Sequence, residues 1–134
     1  MDGAPHAFGS VLIANRGEVA CRIARACREL DLSTIAIHSS EDEGAPLLDL
    51  CDQRFLLEGE GLGQTYLSIE AILAAAELTG AEAIHPGFGF LAESAGFAEA
   101  VEQRGLVWIG PSPNAIRIMG DKMTARSTVT ARKR

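Results

Sequence analysis

Short apolar runs alternate with segments of helical period along this chain, and that alternation constrains its fold more than any other feature. Val11-Leu12-Ile13-Ala14, after Ser10, is continuously apolar, as a parallel strand covered on both faces must be. From Glu18 the apolar spacing changes to threes and fours, so that Val19, Ala20, Ile23, Ala24, Cys27 and Leu30 form one helical stripe. Asn15-Arg16-Gly17 makes the turn between them. Residues 33–38 are a second strand and residues 53–57 a shorter third. Residues 39–46 and 58–64, polar and glycine-rich respectively, read as loops.

The second half repeats the pattern. Ser68 is placed to cap a helix with Ile69, Ile72, Leu73 and Ala76 inward and Gly80 as its stop. Residues 83–85 are a brief strand closed by the turn Pro86-Gly87-Phe88-Gly89. Ser94 caps a helix through Phe97, Ala98 and Val101 that ends at Gly105, and residues 106–109 form a last strand. Ser112-Pro113 pairs an N-cap with proline at the first helical position. That helix is expected to end at Gly120, with Asp121 capping another. The order implies an α/β fold, a Rossmann-like open parallel sheet with helices on both faces. Ligands of such sheets bind at the carboxyl ends of the strands. The loops to read for function therefore follow Ala14, His85 and Ile109.

At 134 residues and 47% hydrophobic content, the chain is one domain with a substantial core. No apolar run approaches the roughly 20 residues of a membrane-spanning helix, and the first residues lack the pattern of a signal peptide. Cys21, Cys27 and Cys51 are odd in number and form no C-x-x-C pair. Neither a disulfide framework nor a zinc site is expected, and no other metal site, and a reducing cytoplasm is the natural compartment. Cys21 and Cys27, six apart on one helix, are expected on different faces as small core residues. Residues 1–120 hold seven arginines, no lysine and 17 acids, whereas residues 121–134 carry one acid and five bases. An acidic body argues against nucleic acid as the partner, and the basic tail reads as a solvated end.

The first βα turn does not suit a dinucleotide. A G-x-G-x-x-G sequence would let bare backbone approach a pyrophosphate. Here one glycine follows the bulky Arg16, and Glu18 sits where a phosphate would lie. On its residues alone, Glu18 is a favourable charge at a helix N-terminus.

Three blocks in order carry a more specific likeness. They are Leu12-Ile13-Ala14-Asn15-Arg16-Gly17-Glu18 with Ala20 and Arg22-Ile23, then residues 83–93 (Ala-Ile-His-Pro-Gly-Phe-Gly-Phe-Leu-Ala-Glu), then Ile109-Gly110-Pro111-Ser112-Pro113 running on to Met119-Gly120-Asp121-Lys122. Over residues 9–126 the chain resembles the N-terminal domain of biotin carboxylases, the module that precedes an ATP-grasp domain. The resemblance implies residues 9–120 as that domain and residues 121–134 as the start of a linker helix with a divergent basic tail. It implies a part in a reaction in which ATP and bicarbonate give carboxyphosphate, and CO2 passes to a ring nitrogen of biotin. ATP, Mg2+ and biotin are the cofactors so implied, and bicarbonate and a biotin carboxyl carrier domain the partners.

Position by position, Lys122 matches the lysine that reaches ATP phosphate, although alone it reads as a surface lysine on an exposed turn. The turn holding His85, Gly87, Phe88 and Gly89 matches the loop beside the biotin and bicarbonate site. Read without the resemblance, its glycines serve a tight turn needing positive φ, and His85 is structural. Many relatives have tyrosine where Phe88 stands, so a hydroxyl is missing while ring packing is kept. Arg25 and Glu29 match a dimer-interface pair, and alone they are an i,i+4 pair worth a few tenths of a kcal/mol. The family's glycine-rich lid, magnesium carboxylates and catalytic base have no counterpart in these 134 residues. The isolated chain is therefore expected to be inactive and to bind no cofactor tightly. Other readings are a nucleotide-binding module acting alone, and a non-catalytic domain that forms a homodimer or pairs with a full-length carboxylase subunit through the Arg25/Glu29 helix.

Overall fold

The computed structural model describes residues 8–132, with side chains through residue 124. Five strands form one sheet: β1 (Ser10–Ile13), β2 (Ser33–His38), β3 (Gln53–Leu56), β4 (Ala83–His85) and β5 (Val107–Trp108). Their order is β3-β2-β1-β4-β5, and every neighbouring pair is parallel. The α/β reading of the sequence holds. β1 is central because it is the most apolar run. Leu12 stands between Ile35 of β2 and Ile84 of β4, and Val11, Leu12 and Ile13 are fully buried.

The helices are α1 (Gly17–Glu29), α2 (Pro46–Leu50), the single turn α3 (Gly61–Gln64), α4 (Ile69–Thr79), α5 (Ala95–Gln103) and α6 (Pro113–Arg132). Alternation along the strands divides the interior into two cores. Leu12, Ala14, Ile35, Ile37 and Ile84 face one side, where Ile72, Leu73 and Ala76 of α4, Phe97, Ala98 and Val101 of α5 and Ile116 of α6 cover them. Val11, Ile13, Ala36 and Ala83 face the other, beneath Ala20, Ala24 and Cys27 of α1 and Leu47 and Leu48 of α2.

The expected caps form. The hydroxyl oxygens of Ser68, Ser94 and Ser112 accept from the N–H groups of Ala71, Phe97 and Ala115 at 3.1, 3.0 and 3.1 Å. Gly80 closes α4 in the left-handed region at φ 76°.

Five expectations need correction. The polar stretch 39–46 contains a 3-10 turn (Ser40–Asp42) and begins α2, whose proline occupies the first turn. The stretch 58–64 is not all loop, since it ends in α3. Leu30, placed on the α1 stripe, is the C-cap and is 54% exposed. Cys21 and Cys27 share the α1 core rather than facing apart. Most consequentially, the helix begun at Pro113 does not stop at Gly120 but runs to Arg132. A glycine inside a helix costs only about 1 kcal/mol, too little to end a helix with no turn to stop it. Asp121 and Lys122 thus lie within a helix rather than at the start of one. The last two residues of the basic tail lie outside the described residues.

Candidate functional site

In the order β3-β2-β1-β4-β5 the chain leaves β1 toward β2 on one side and later builds β4 and β5 on the other. The crevice between the carboxyl ends of β1 and β4 is the switch point, where parallel sheets bind ligands. Two of the loops singled out above meet there. Asn15 follows β1 and is 2% exposed. Its Nδ2 donates to the carbonyl oxygens of Pro86 and Phe88, both at 2.7 Å. Its Oδ1 accepts from the N–H of Arg16 at 2.8 Å.

The turn so held is tight. Gly87 and Gly89 have φ of 69° and 68°. A Cβ on Gly87 would lie 2.7 Å from Asn15 Nδ2 and 3.0 Å from Val19 Cγ1, whereas nothing lies within 4 Å of one on Gly89. Gly87 is therefore required by both backbone conformation and close approach, and Gly89 by conformation. The Gly87 N–H donates to His85 Nδ1 at 3.1 Å, so that nitrogen carries a lone pair and the neutral ring bears its proton on Nε2. Burial pushes the His85 pKa below the ordinary histidine value, which favours the same neutral form. Phe88 turns a ring that is 75% exposed outward from the turn.

A second cluster backs the turn from the β2 side. The buried Tyr66 hydroxyl donates to Asp42 Oδ2 at 2.8 Å and accepts from the Ser39 N–H at 3.3 Å. Asp42 Oδ1 accepts from Arg16 Nη2 at 3.3 Å, and the Arg16 guanidinium lies over the Tyr66 ring, 5.4 Å from its centroid. The same ring also meets Phe90, with centroids 5.7 Å apart. Phe90 holds a φ of 46°, a strained value for a residue with a Cβ. Asn15 thus holds one end of the turn at residues 86–90 directly, and its neighbour Arg16 bears on the other end through Tyr66. Beside it, between α1 and the uncovered edge of the sheet, runs an open apolar groove of about 480 Å³. His85, Gly87, Phe88 and Ile109 line one side and Arg22, Ile23 and Ala26 the other.

The model of the biotin carboxylase N-terminal domain matches residues 7–116 of the chain. The chain belongs to this family. Biotin carboxylase of Pseudomonas aeruginosa is 52% identical over 119 residues, which are 89% of this chain and 26% of that protein. The alpha3 subunit of a biotin-dependent acyl-coenzyme A carboxylase from Mycobacterium leprae is 51% identical over 119 residues, 89% of this chain and 20% of its own length. The biotin carboxylase domain dimer of Hydrogenobacter thermophilus 2-oxoglutarate carboxylase, solved with MgADP, ADP and bicarbonate, superposes with a TM-score of 0.80. It is 44% identical, and the match covers 84% of this chain and 25% of that one. The chain thus spans about a quarter or less of the length of these relatives.

Against the family expectations, the structure brings His85, Gly87, Phe88 and Gly89 together at the switch point. It does not bring Lys122 there: Lys122 is exposed on α6 and lines neither the turn nor the groove. Arg25 and Glu29 are exposed on α1, but they do not pair. Arg25 Nη1 lies 3.7 Å from Glu18 Oε2, a solvated contact of little energetic weight. Among the described residues, no three His, Cys, Asp or Glu side chains gather as a metal site, and no helix is long and apolar enough to cross a membrane. The reading of the sequence passed over Asn15 as a turn residue and missed Asp42 and Tyr66. The one signal for Tyr66 was a lone tyrosine directly after a glycine-rich stretch.

Proposed function

We propose that this chain is the N-terminal lobe of a biotin carboxylase and contributes to the ATP- and bicarbonate-dependent carboxylation of biotin. The observation that carries the reading is the switch-point turn at residues 85–90, pinned from behind by Asn15 and Tyr66 and open in front. In this reading the turn forms the biotin and bicarbonate side of the site, with Phe88 offering a ring face and His85 acting as a structural support. Lys122 contributes a point charge for phosphate once α6 is set against the ATP-grasp domain. Among the described residues the lobe has no carboxylate cluster for magnesium. Phosphoryl transfer needs several positioned donors and metal ions, so the 134 residues alone do not carry it out and hold no cofactor tightly.

The proposed partners are a biotin carboxyl carrier domain and a second carboxylase subunit. Exposed Arg25 and Glu29, beside the open groove, favour α1 as the face for that subunit. The proposed compartment is the cytoplasm, where three free thiols persist.

A chimaera tests the reading. Residues 9–126 replace the matching segment of the Pseudomonas aeruginosa enzyme, and carboxylation of free biotin is followed with ATP and bicarbonate. Activity in the chimaera and none in the isolated chain is the expected result. A folded but inactive chimaera would overturn it, as would carboxylation by the isolated chain.

A further inference from the structure

We infer that Asn15 is a positioning residue, whose buried amide fixes the Pro86–Phe88 backbone in the one conformation that the ligand-binding turn requires. The inference rests on the reading of that turn given above and deepens it, assigning to the Asn15 amide the conformation on which ligand binding by the turn depends.

The chemistry of the position is exacting. Two carbonyl oxygens must be satisfied from one side, and one backbone N–H from the other. A primary amide does both: its nitrogen has two hydrogens, spent on Pro86 and Phe88, and its oxygen takes the Arg16 N–H. The partners also fix which way the amide points. Turned over, its oxygen would face two carbonyl oxygens at 2.7 Å. Aspartate has the same shape and no donor, leucine has neither donor nor acceptor, and serine has one hydrogen for two carbonyls. Asn15 is 2% exposed, so its amide meets these groups in place of water.

The clamp acts where the turn is least able to hold itself. Gly87, Gly89 and Phe90 all have positive φ, and glycine has many other conformations open to it. The turn's internal hydrogen bonds are few: the Gly87 N–H on His85 Nδ1, and the Ala92 N–H on the Gly89 carbonyl at 2.8 Å. The Asn15 amide bridges 71 and 73 residues of sequence to reach its two acceptors, so it ties the turn to β1, the rigid centre of the sheet. Gly87 has no side chain because the Asn15 amide occupies that space. Asn15 touches the backbone of the turn and acts through it.

The isolated chain and the chimaera separate this role from a merely structural one. The variants are Asn15→Ala and Asn15→Asp. The control is Ile72→Val, which loosens the core under α4 and removes no hydrogen bond of the turn. In the 15N-labelled 134-residue chain, hydrogen exchange at the Gly87 amide and the ring nitrogen shifts of His85 are read by NMR. With either Asn15 variant, Gly87 exchange is expected to speed up by at least about tenfold relative to β1 amides, and His85 to lose its single-tautomer signature. Ile72→Val changes neither. In the chimaera, Asn15→Ala is expected to lower kcat and raise KM for biotin while KM for ATP stays put.

Unchanged Gly87 and His85 signals in the Asn15 variants would overturn the inference. So would a kinetic loss no different from that of Ile72→Val. An inactive wild-type chimaera instead refutes the reading of the whole lobe, and the NMR comparison in the isolated chain then decides the clamp by itself.

Discussion

Tyr66 is the chain's one tyrosine and is 1% exposed, so its phenol can be followed without interference from another. Burial, and after it donation to Asp42, push its pKa up to about 12. An unfolded tyrosine titrates near 10, so the folded chain keeps a proton that the unfolded chain gives up. The stabilisation is whole below about pH 10 and is lost as the pH rises toward 12. Tyr66→Phe is expected to be less stable at neutral pH by about 1–3 kcal/mol, because it leaves the Ser39 N–H without its acceptor. The gap should narrow as the pH rises. Urea unfolding of both proteins from neutral to alkaline pH checks this, and a gap that stays constant sinks it. Residues such as Tyr66 and Asn15 mark the limit of what the sequence discloses. Asn15 stands in plain sight in the first turn, but its acceptors lie in Pro86 and Phe88. Only the strand order, which brings β4 beside β1, makes them neighbours.

Elements were legible where a local signal decides them. Ser68, Ser94 and Ser112 cap the helices they precede because a hydroxyl two or three residues before a free N–H needs no tertiary help. Gly80 stops α4 because the chain turns back into Ala81 through an N–H on the Ala76 carbonyl. Gly120 carries the same residue type without that turn, and the helix passes through it. The two kinds of glycine predict opposite outcomes of one substitution. At Gly120 nothing lies within 4 Å of an added Cβ, so Gly120→Ala is expected to strengthen α6 by about 0.5–1 kcal/mol. Slower amide exchange along α6 and higher helical circular dichroism would register it. At Gly87 the same change demands a left-handed alanine, costing about 1–2 kcal/mol, and drives a methyl against a pinned amide. Gly87→Ala should therefore destabilise the chain in urea by more than the backbone cost alone. If the two substitutions shift stability in the same direction, the distinction drawn between them is wrong.

The two cores of the whole molecule are joined through the strands themselves. Along β1, Val11 and Ile13 enter the α1 core while Leu12 and Ala14 enter the core under α4 and α5. β2 and β4 do the same with Ala36 against Ile35 and with Ala83 against Ile84. Neither core can come apart while the strands stay in register, so the chain should unfold as one unit. Trp108, the single tryptophan, reports on one side of the sheet. Its ring stands edge-on to Phe97 at 5.5 Å and 89°, and its Nε1 donates to the Pro111 carbonyl at 2.7 Å. Phe97, on α5, is fully buried, and Phe97→Ala is expected to cost about 3–5 kcal/mol. Because the strands are shared, that loss must appear equally in tryptophan fluorescence and in far-ultraviolet circular dichroism, which also reads α1 on the opposite face. Coincident urea transitions for both probes, displaced together in the variant, are the expected result. If fluorescence moved to lower urea while the dichroism transition stayed behind, the α1 core would be holding without its neighbour, and the strands would not couple the two faces as their alternation implies.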